Sequence, residues 1–155
     1  MEERASLSLK AALHQRCMQY AEARIHTAEQ AMHNAQEAAN EEGKSSAGDK
    51  YETGRAMMQI ERDKAAQQVD ESLKLKRILE SIRTDVYMDK IALGAAVLSD
   101  DINFYIAISV GKMQVEGKDF IAMAANAPVA QLLMGLKVGD TFHFNGRQHV
   151  VRSIL

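Results

Sequence analysis

Four carboxylates bracket a short break in an otherwise helix-forming stretch of the chain. Glu41 and Glu42 precede the break at residues 43–48, and Asp49 and Glu52 follow it. Carboxylate oxygens suit a hard cation such as Mg²⁺, which keeps part of its water shell when it binds. Acids at the end of a long rigid arm could therefore help to hold a metal ion in the active site of another molecule.

The same acids have a purely structural interpretation. Asp49 and Glu52 have the spacing of a capping box, in which two side chains satisfy the free amides of a helix's first turn. Acids there also suit the positive end of the helix dipole, whereas Glu41 and Glu42 would lie at the negative end of the preceding helix. Because that end disfavours acids, Glu41 and Glu42 must either be exposed to solvent or have a function. The sequence leaves capping, exposure and metal binding open.

Other residues with chemical potential give weaker signals. His143 and His149 flank a hairpin turn but have no spacing to a local acid or cysteine that indicates a metal site or a triad, so we interpret them as surface or strand histidines. His26 and His33 lie seven residues apart, too far for one ion, and are expected to be solvated. Cys17 is the only cysteine, which excludes a disulfide framework and favours a reducing compartment.

Composition excludes further classes. The net charge is −2, so no basic face for direct nucleic-acid binding is indicated. No apolar run approaches the roughly 20 residues of a membrane span, and the first residues do not resemble a signal peptide. We therefore expect a soluble, cytoplasmic protein that does not bind membranes. All four Phe and the single Pro fall in the last third, which indicates two halves built differently.

The first half, residues 1–82, is predicted to be an antiparallel coiled-coil hairpin. Residues 6–42 lack Gly and Pro, residues 43–48 break the pattern, and helical composition resumes over 49–82. The first helix would be about 55 Å long, so we expect it to protrude. Its predicted seam is Leu7, Ala11, His14, Met18, Ala21, Ile25, Ala28, Met32, Ala35 and Ala39. The face predicted for the second helix (Met58, Ala65, Val69, Leu73, Leu79, Ile82) is less regular, because Ser72 and Lys76 interrupt it.

The second half, residues 83–155, is predicted to be a small antiparallel sheet covered by a helix, which makes the whole chain α+β. Strands are expected over 90–98, 103–110, 118–124, 141–144 and 147–154. A short helix is expected over 128–134, with Pro128 in its first turn and Gly135 beyond its end. Asn145-Gly146 is the strongest hairpin signal in the chain.

This order of elements resembles the Gre transcript-cleavage factors of bacterial RNA polymerase. The specific match is a stretch similar to that family's Ser-Pro-x-Ala-x-Ala-Leu-Leu-Gly-Lys-x-x-Gly-Asp motif, with Ala in place of the first Ser and Leu136 where Lys is expected. In this chain it reads Ala127-Pro128-Val129-Ala130-Gln131-Leu132-Leu133-Met134-Gly135-Leu136-Lys137-Val138-Gly139-Asp140.

The resemblance implies an FKBP-like C-terminal domain that docks at the rim of the polymerase secondary channel while the hairpin enters it. It implies contacts with RNA polymerase through Pro128, Gly135, Gly139 and Asp140, and indirect contact with the nascent RNA. The chain would not be an enzyme and would have no cofactor of its own. Its tip acids would share a magnesium ion with the polymerase, whose own hydrolysis of backtracked RNA they would stimulate.

The family's tip pattern, Asp-x-x-Glu-Asn-x-Glu-Tyr, can be placed on this chain in two ways. In one placement Asp49 and Glu52 are the catalytic pair and the metal ligands. In the other, Asp49 takes the place of the last Glu, and the pair falls on Gly43 and Ser46. Cleavage would then require Glu41 or Glu42 to substitute.

Three other functions remain open. A regulator could occupy the same channel without promoting cleavage. The sheet domain could be a prolyl isomerase or a chaperone module, although the aromatic-lined pocket that this needs is poorly supplied by four Phe, two Tyr and no Trp. The hairpin could also be a dimerisation arm that forms a four-helix bundle, whereas the Gre resemblance favours a monomer.

Overall fold

The structure is a computed structural model that describes the backbone of residues 2–42 and 48–155 and the side chains of residues 4–41 and 53–155. The chain divides into two compact units. We name residues 20–76 the hairpin unit, and residues 1–19 together with 77–155 the sheet unit. Helix α1 (Glu2–Glu42) and helix α2 (Gly48–Glu80) each contribute residues to both units.

The hairpin unit consists of two antiparallel helical segments. Nζ of Lys76 lies 3.9 Å from a carboxylate oxygen of Glu22, so the end of α2 passes the middle of α1. The α1 seam follows the predicted heptad spacing of four and three, with Ile25 and Met32 half-buried. Its buried members in this unit are all alanines: Ala21, Ala28, Ala35 and Ala39.

Ser72 and Lys76 fit the α2 seam rather than interrupting it. Positions 58, 62, 65, 69, 72, 76 and 79 are buried or half-buried and keep heptad spacing, while positions 54, 66, 73 and 75 are half-buried beside them. Ser72 is a buried member because its hydroxyl donates a hydrogen bond of 2.7 Å to the carbonyl oxygen of Gln68. Lys76 is a member because its long side chain carries its ammonium group out towards Glu22.

The predicted α1 seam is wrong in its first turns. Ala11 is exposed, and the buried apolar residues there are Leu9, Leu13 and Cys17, four residues apart. These residues belong to the sheet unit, where α1 packs against a different partner from the one it meets beyond residue 20. A change of partner changes the face that a helix buries, and a single repeat cannot describe both parts.

The sheet unit contains one six-stranded sheet and a short helix. The strand order is β3-β4-β2-β1-β6-β5. The elements are β1 (Ala96–Ser99), β2 (Asn103–Ala107), β3 (Gly111–Val115), β4 (Lys118–Ala124), α3 (Pro128–Leu133), β5 (Thr141–Phe144) and β6 (Arg147–Ile154). The α+β class is confirmed, but the sheet is mixed rather than antiparallel, because β2 and β4 pair in parallel.

Three strands differ from the prediction, and one of them, β2, ends at Ala107 rather than at residue 110. Strand β3 was not predicted, although Met113 and Val115 alternate with exposed residues as in a half-buried strand. Strand β1 begins at Ala96 rather than at residue 90, because Gly94 adopts a φ of +94° that interrupts an extended chain. A Cβ atom at Gly94 would lie 2.9 Å from Cγ2 of Ile82, so the close packing there also requires glycine.

The core of the sheet unit is aromatic and aliphatic. Phe104 packs edge to face against Phe142 and Phe144, with ring centroids 5.9 and 5.6 Å apart. Helix α3 closes one side of this cluster with Ala130 and Leu133.

In the part of the chain that the structure describes, no helix is both long and apolar enough to cross a membrane.

Candidate functional site

The end of the hairpin is the site that the sequence singles out. Helix α1 ends at Glu42 and helix α2 begins at Gly48, so the predicted acids lie at the facing ends of the two helices. The side chain of Glu41 is exposed. The side chains of Glu42, Asp49 and Glu52 lie outside the described residues, and their roles as catalytic acids or magnesium ligands stay predictions.

An apolar pair lies on α2 within about three and a half turns of the first residue of that helix, Gly48. Met57 and Ile60 are 58% and 55% exposed, although both are large and hydrophobic. Residues three apart on a helix are neighbours on one face, so the two side chains form a small apolar patch. Exposed apolar patches frequently mark interaction surfaces. The sequence analysis does not identify this pair, because it considers only those apolar residues of α2 that fit the predicted seam.

A groove of about 480 Å³ runs between the helices of the hairpin unit. Residues of α1 between 20 and 31 line one side, and Ala65, Gln68 and Ser72 of α2 line the other. Arg24 covers part of it by donating a hydrogen bond of 2.9 Å to the hydroxyl of Tyr20. The groove follows from the small seam residues, and its lining holds no carboxylate, histidine or cysteine that could do chemistry.

The family-like stretch over 127–140 forms α3 and the turn that leads into β5. The backbone N–H of Gly135 donates to Ile91 (2.8 Å), and that of Gly139 donates to Val151 (2.8 Å). A carboxylate oxygen of Asp140 accepts a hydrogen bond of 2.8 Å from the backbone N–H of Lys137. Pro128 occupies the start of α3, as predicted. These contacts give the four residues structural roles, while binding of RNA polymerase through them stays a prediction.

The first part of α1 is held in the sheet unit by three polar side-chain contacts. Lys10 is fully buried and donates a hydrogen bond of 3.0 Å to the carbonyl oxygen of Val86. His14 Nδ1 lies 2.9 Å from the hydroxyl of Tyr105, which is also buried. Arg16 donates to the carbonyl oxygen of Gln114 at 3.1 Å. These contacts anchor the helix to the sheet.

Burial shifts the titration of this group of side chains. It lowers the pKa of Lys10 against the opposing effect of Asp85. Burial, and then the charge of Lys10, lowers the pKa of His14. Burial raises the pKa of Tyr105, and raises that of Cys17 to about 12. Cys17 is therefore a protonated thiol without nucleophilic character, which favours a structural role for the whole group.

The histidines are placed largely as predicted. His26, His33 and His143 are exposed, and Nε2 of His33 lies 3.2 Å from a carboxylate oxygen of Glu37 on the helix surface. His149 lies on β6 but is buried, with 4% of its surface exposed. It is not a surface residue, and Asp100 and Asp101 lie beside it. No local spacing could reveal this, since about fifty residues separate the acids from the histidine.

Comparisons with known proteins give a limited result. No protein-family model and no curated protein matches the chain significantly. Among solved structures, the chain is similar to that of the transcription factor Gfh1 at 19% sequence identity and a TM-score of 0.34. The similarity covers 92% of this chain and 93% of that one. At this identity and TM-score the similarity supports no conclusion about the function of this chain.

Proposed function

We propose that the chain is a bacterial RNA-polymerase-binding transcription factor of Gre type. In this proposal the hairpin unit enters the secondary channel of the polymerase and promotes cleavage of backtracked RNA. The observation that supports it best is the hairpin unit itself, two long antiparallel helices with a seam of alanines. Residues 20–42 of α1 would extend about 35 Å at 1.5 Å per residue.

The small seam residues suit a slender probe. Alanine at the buried seam positions lets two helices approach closely, so the pair stays narrow along its length. A hairpin with Leu or Phe at the same positions would be thicker. A narrow channel through which another molecule must reach an active site favours the thinner arrangement.

The chemistry belongs to the partner. Magnesium in the polymerase active site would polarise the phosphate and activate a water molecule for hydrolysis. The carboxylates of Asp49 and Glu52 are the first candidates to hold this ion from the hairpin side, since Mg²⁺ prefers oxygen ligands. Glu41 and Glu42 are the second candidates. The chain itself would act only by presenting these oxygens.

The exposed pair Met57 and Ile60 would contribute to binding. Its apolar surface lies on α2 near the hairpin end, where a channel wall would cover it. Charged residues such as Glu61 and Lys64 dominate the exposed surface of the surrounding helix, so two large apolar side chains are unusual there.

Transcript cleavage tests the proposal. Stalled, backtracked elongation complexes with radiolabelled RNA are incubated with the chain and Mg²⁺, and shortened RNA is measured. We expect cleavage above the polymerase's own rate, and its loss in either the Asp49→Ala/Glu52→Ala or the Glu41→Ala/Glu42→Ala variant. The Glu61→Ala variant removes an exposed acid farther along α2 and should retain activity. Cleavage unchanged in both tip variants would exclude a catalytic tip.

A non-cleaving regulator of the same channel is the second candidate. The observation that favours it is the alternative placement of the tip pattern, in which Gly43 and Ser46 occupy the catalytic positions. This function predicts binding to the polymerase and altered initiation or elongation without shortened RNA. Binding is measured with fluorescent full-length chain, and a Met57→Ser/Ile60→Ser variant should bind more weakly. Absence of binding at micromolar concentration would contradict both candidates.

A further inference from the structure

Three side chains that are distant in sequence converge in the sheet unit. Asp100 and Asp101 follow β1, and His149 lies on β6, which pairs with β1. The pairing shifts register between Leu98 and Ser99, so the acids that follow turn towards β6. The potential ligand atoms of these three residues all lie within 4.8 Å of one another. We name this group the DDH cluster.

The ring of His149 is fixed in orientation. Its Nε2 lies 3.2 Å from the carbonyl oxygen of Phe144, which can only accept, so Nε2 carries a proton. The ring stacks on Phe142 with centroids 5.4 Å apart and planes 24° apart. Its Nδ1 therefore points towards the two carboxylates. Histidines that bind metals commonly donate their other ring N–H to a carbonyl or carboxylate in this way.

The Nδ1 atom lacks a hydrogen-bond partner although it is buried. It lies 3.4 Å from Oδ1 of Asp100 and 3.9 Å from Oδ2 of Asp101. These separations are long for hydrogen bonds, which have their most frequent N···O distance near 2.9–3.0 Å. They are close to the spacing of about 3.4 Å between neighbouring ligands of a tetrahedral ion with bonds of about 2.0–2.1 Å. Buried polar atoms without partners are rare and need an explanation.

We propose that the DDH cluster binds a divalent transition-metal ion through Nδ1 of His149 and the carboxylates of Asp100 and Asp101. One imidazole and two carboxylates suit Zn²⁺ or Mn²⁺ better than Mg²⁺ or Ca²⁺, which prefer oxygen alone. Water completes the coordination, because both acids reach solvent. This site is separate from the hairpin acids and does not depend on the proposed function.

Two neighbours of the DDH cluster should affect its affinity for a cation in opposite directions. The backbone N–H of Val150 donates to Oδ1 of Asp100 at 3.3 Å, which helps to hold that carboxylate in place. Arg147 lies 3.0 Å from Oδ2 of Asp101, the oxygen that faces His149, and competes with a cation for it. Because the side chain of Arg147 is 71% exposed, it can turn away without a large cost to packing.

The ion would connect the β1–β2 loop to the β5–β6 hairpin. Asp100 and Asp101 lie in the loop, and His149 lies on the last strand. Because an ion that binds only the folded state stabilises it in proportion to its occupancy, metal should raise the thermal midpoint of unfolding.

Metal titration of the full chain tests this inference. The protein is stripped with a chelator, dialysed, and titrated with Zn²⁺ and Mn²⁺ by calorimetry, and with Co²⁺ by visible absorption. We expect one equivalent of Zn²⁺ per chain and a higher unfolding midpoint. Asp100→Asn and Asp101→Asn should each weaken binding at least about tenfold. Arg147→Gln should strengthen it, an effect that a merely structural cluster would not show.

Matched controls separate the cluster from adventitious binding. His143→Gln removes the exposed histidine of the same hairpin, Asp119→Asn an exposed acid of β4, and His33→Gln the exposed pair with Glu37. All three should bind as the natural chain does. Since His149→Gln could disturb the core, the two exposed Asp variants carry the test, with folding verified by circular dichroism. Absence of stoichiometric binding, or equal affinity in the Asp100→Asn/Asp101→Asn double variant, would overturn the site.

Discussion

The hairpin unit and the sheet unit achieve burial with different side chains. In the described part of the hairpin unit, the buried residues are five alanines and Ser72. The sheet unit buries Phe104, Tyr105 and Phe120 completely, together with leucines and isoleucines from several elements. Each buried alanine removes little apolar surface from water, whereas a buried aromatic ring removes 150–250 Å².

This difference shows how one chain can combine a narrow pair of helices with a domain that has a larger core. The sheet unit has the larger apolar core per residue and should carry most of the free energy of folding. The hairpin unit relies on helix propensity and a narrow seam, so we expect its backbone amides to exchange faster with solvent. A narrow pair of helices buries little apolar surface, which limits its local stability. In this chain the larger core lies in the sheet unit.

Removal of the central aromatic side chain should produce the largest effect. Phe104→Ala leaves a cavity between Phe142 and Phe144 and should lower the free energy of unfolding by about 3–5 kcal/mol. Urea denaturation followed by circular dichroism measures it. Leu132→Ala removes a 57% exposed side chain of the same unit and should change stability by less than about 0.5 kcal/mol. Similar losses in both variants would show that the aromatic cluster is not the stabilising core.

Overfilling the hairpin seam should have a smaller and more local effect. Ala35→Leu places a larger side chain at a buried seam position and should destabilise the hairpin by about 1–3 kcal/mol. Hydrogen exchange measured by mass spectrometry should rise in peptides from 20–76, with little change in peptides from 104–124. Ala56→Leu, at an exposed position of α2 that does not line the groove, is the control. If both variants behave alike, the seam is not closely packed.

Acidification should weaken the anchoring of α1 in the sheet unit. Burial and then Lys10 lower the pKa of His14 below its ordinary value of 6.5. Between the two pKa values the unfolded chain binds more protons, so the free energy of unfolding falls as the pH drops through 6.5.

A variant isolates this small contribution. His14→Gln retains a group that can hydrogen-bond to Tyr105 but does not titrate, so its stability should fall less steeply between pH 7 and 5. His26→Gln, which changes an exposed histidine, should follow the natural chain. An unchanged slope in His14→Gln would show that this anchor does not contribute to the pH dependence.

The sequence predicted the elements best where one local signal decides the structure. Strands β4, β5 and β6 begin and end as predicted, and Asn145-Gly146 forms the expected turn, with φ values of 52° and 75°. Glu116 and Gly117 form a similar turn, with φ values of 52° and 77°, but this less familiar pair was not recognised as a hairpin signal. Strand β3 was missed for that reason.

Features that depend on tertiary pairing could not be predicted. The parallel pairing of β2 with β4 follows from where β3 lies, at the edge of the sheet. The exposure of Ala11 follows from the partner that α1 meets in the sheet unit. The DDH cluster forms only because β1 pairs with β6. Local spacing contains none of this information. The four hairpin acids, in contrast, lie within residues 41–52 and can be identified from the sequence alone.

Site-specific crosslinking from the hairpin end tests the central claim most directly. A photoreactive amino acid replaces Ser46 in the full chain, the protein is mixed with bacterial RNA polymerase, and the crosslinked residues are identified by mass spectrometry. A second probe at the exposed position Asp119 of the sheet unit serves as the comparison. The proposal predicts that crosslinks from position 46 fall on residues that line the secondary channel near the active site. Crosslinks confined to the outer surface of the polymerase, or none at all, would contradict it.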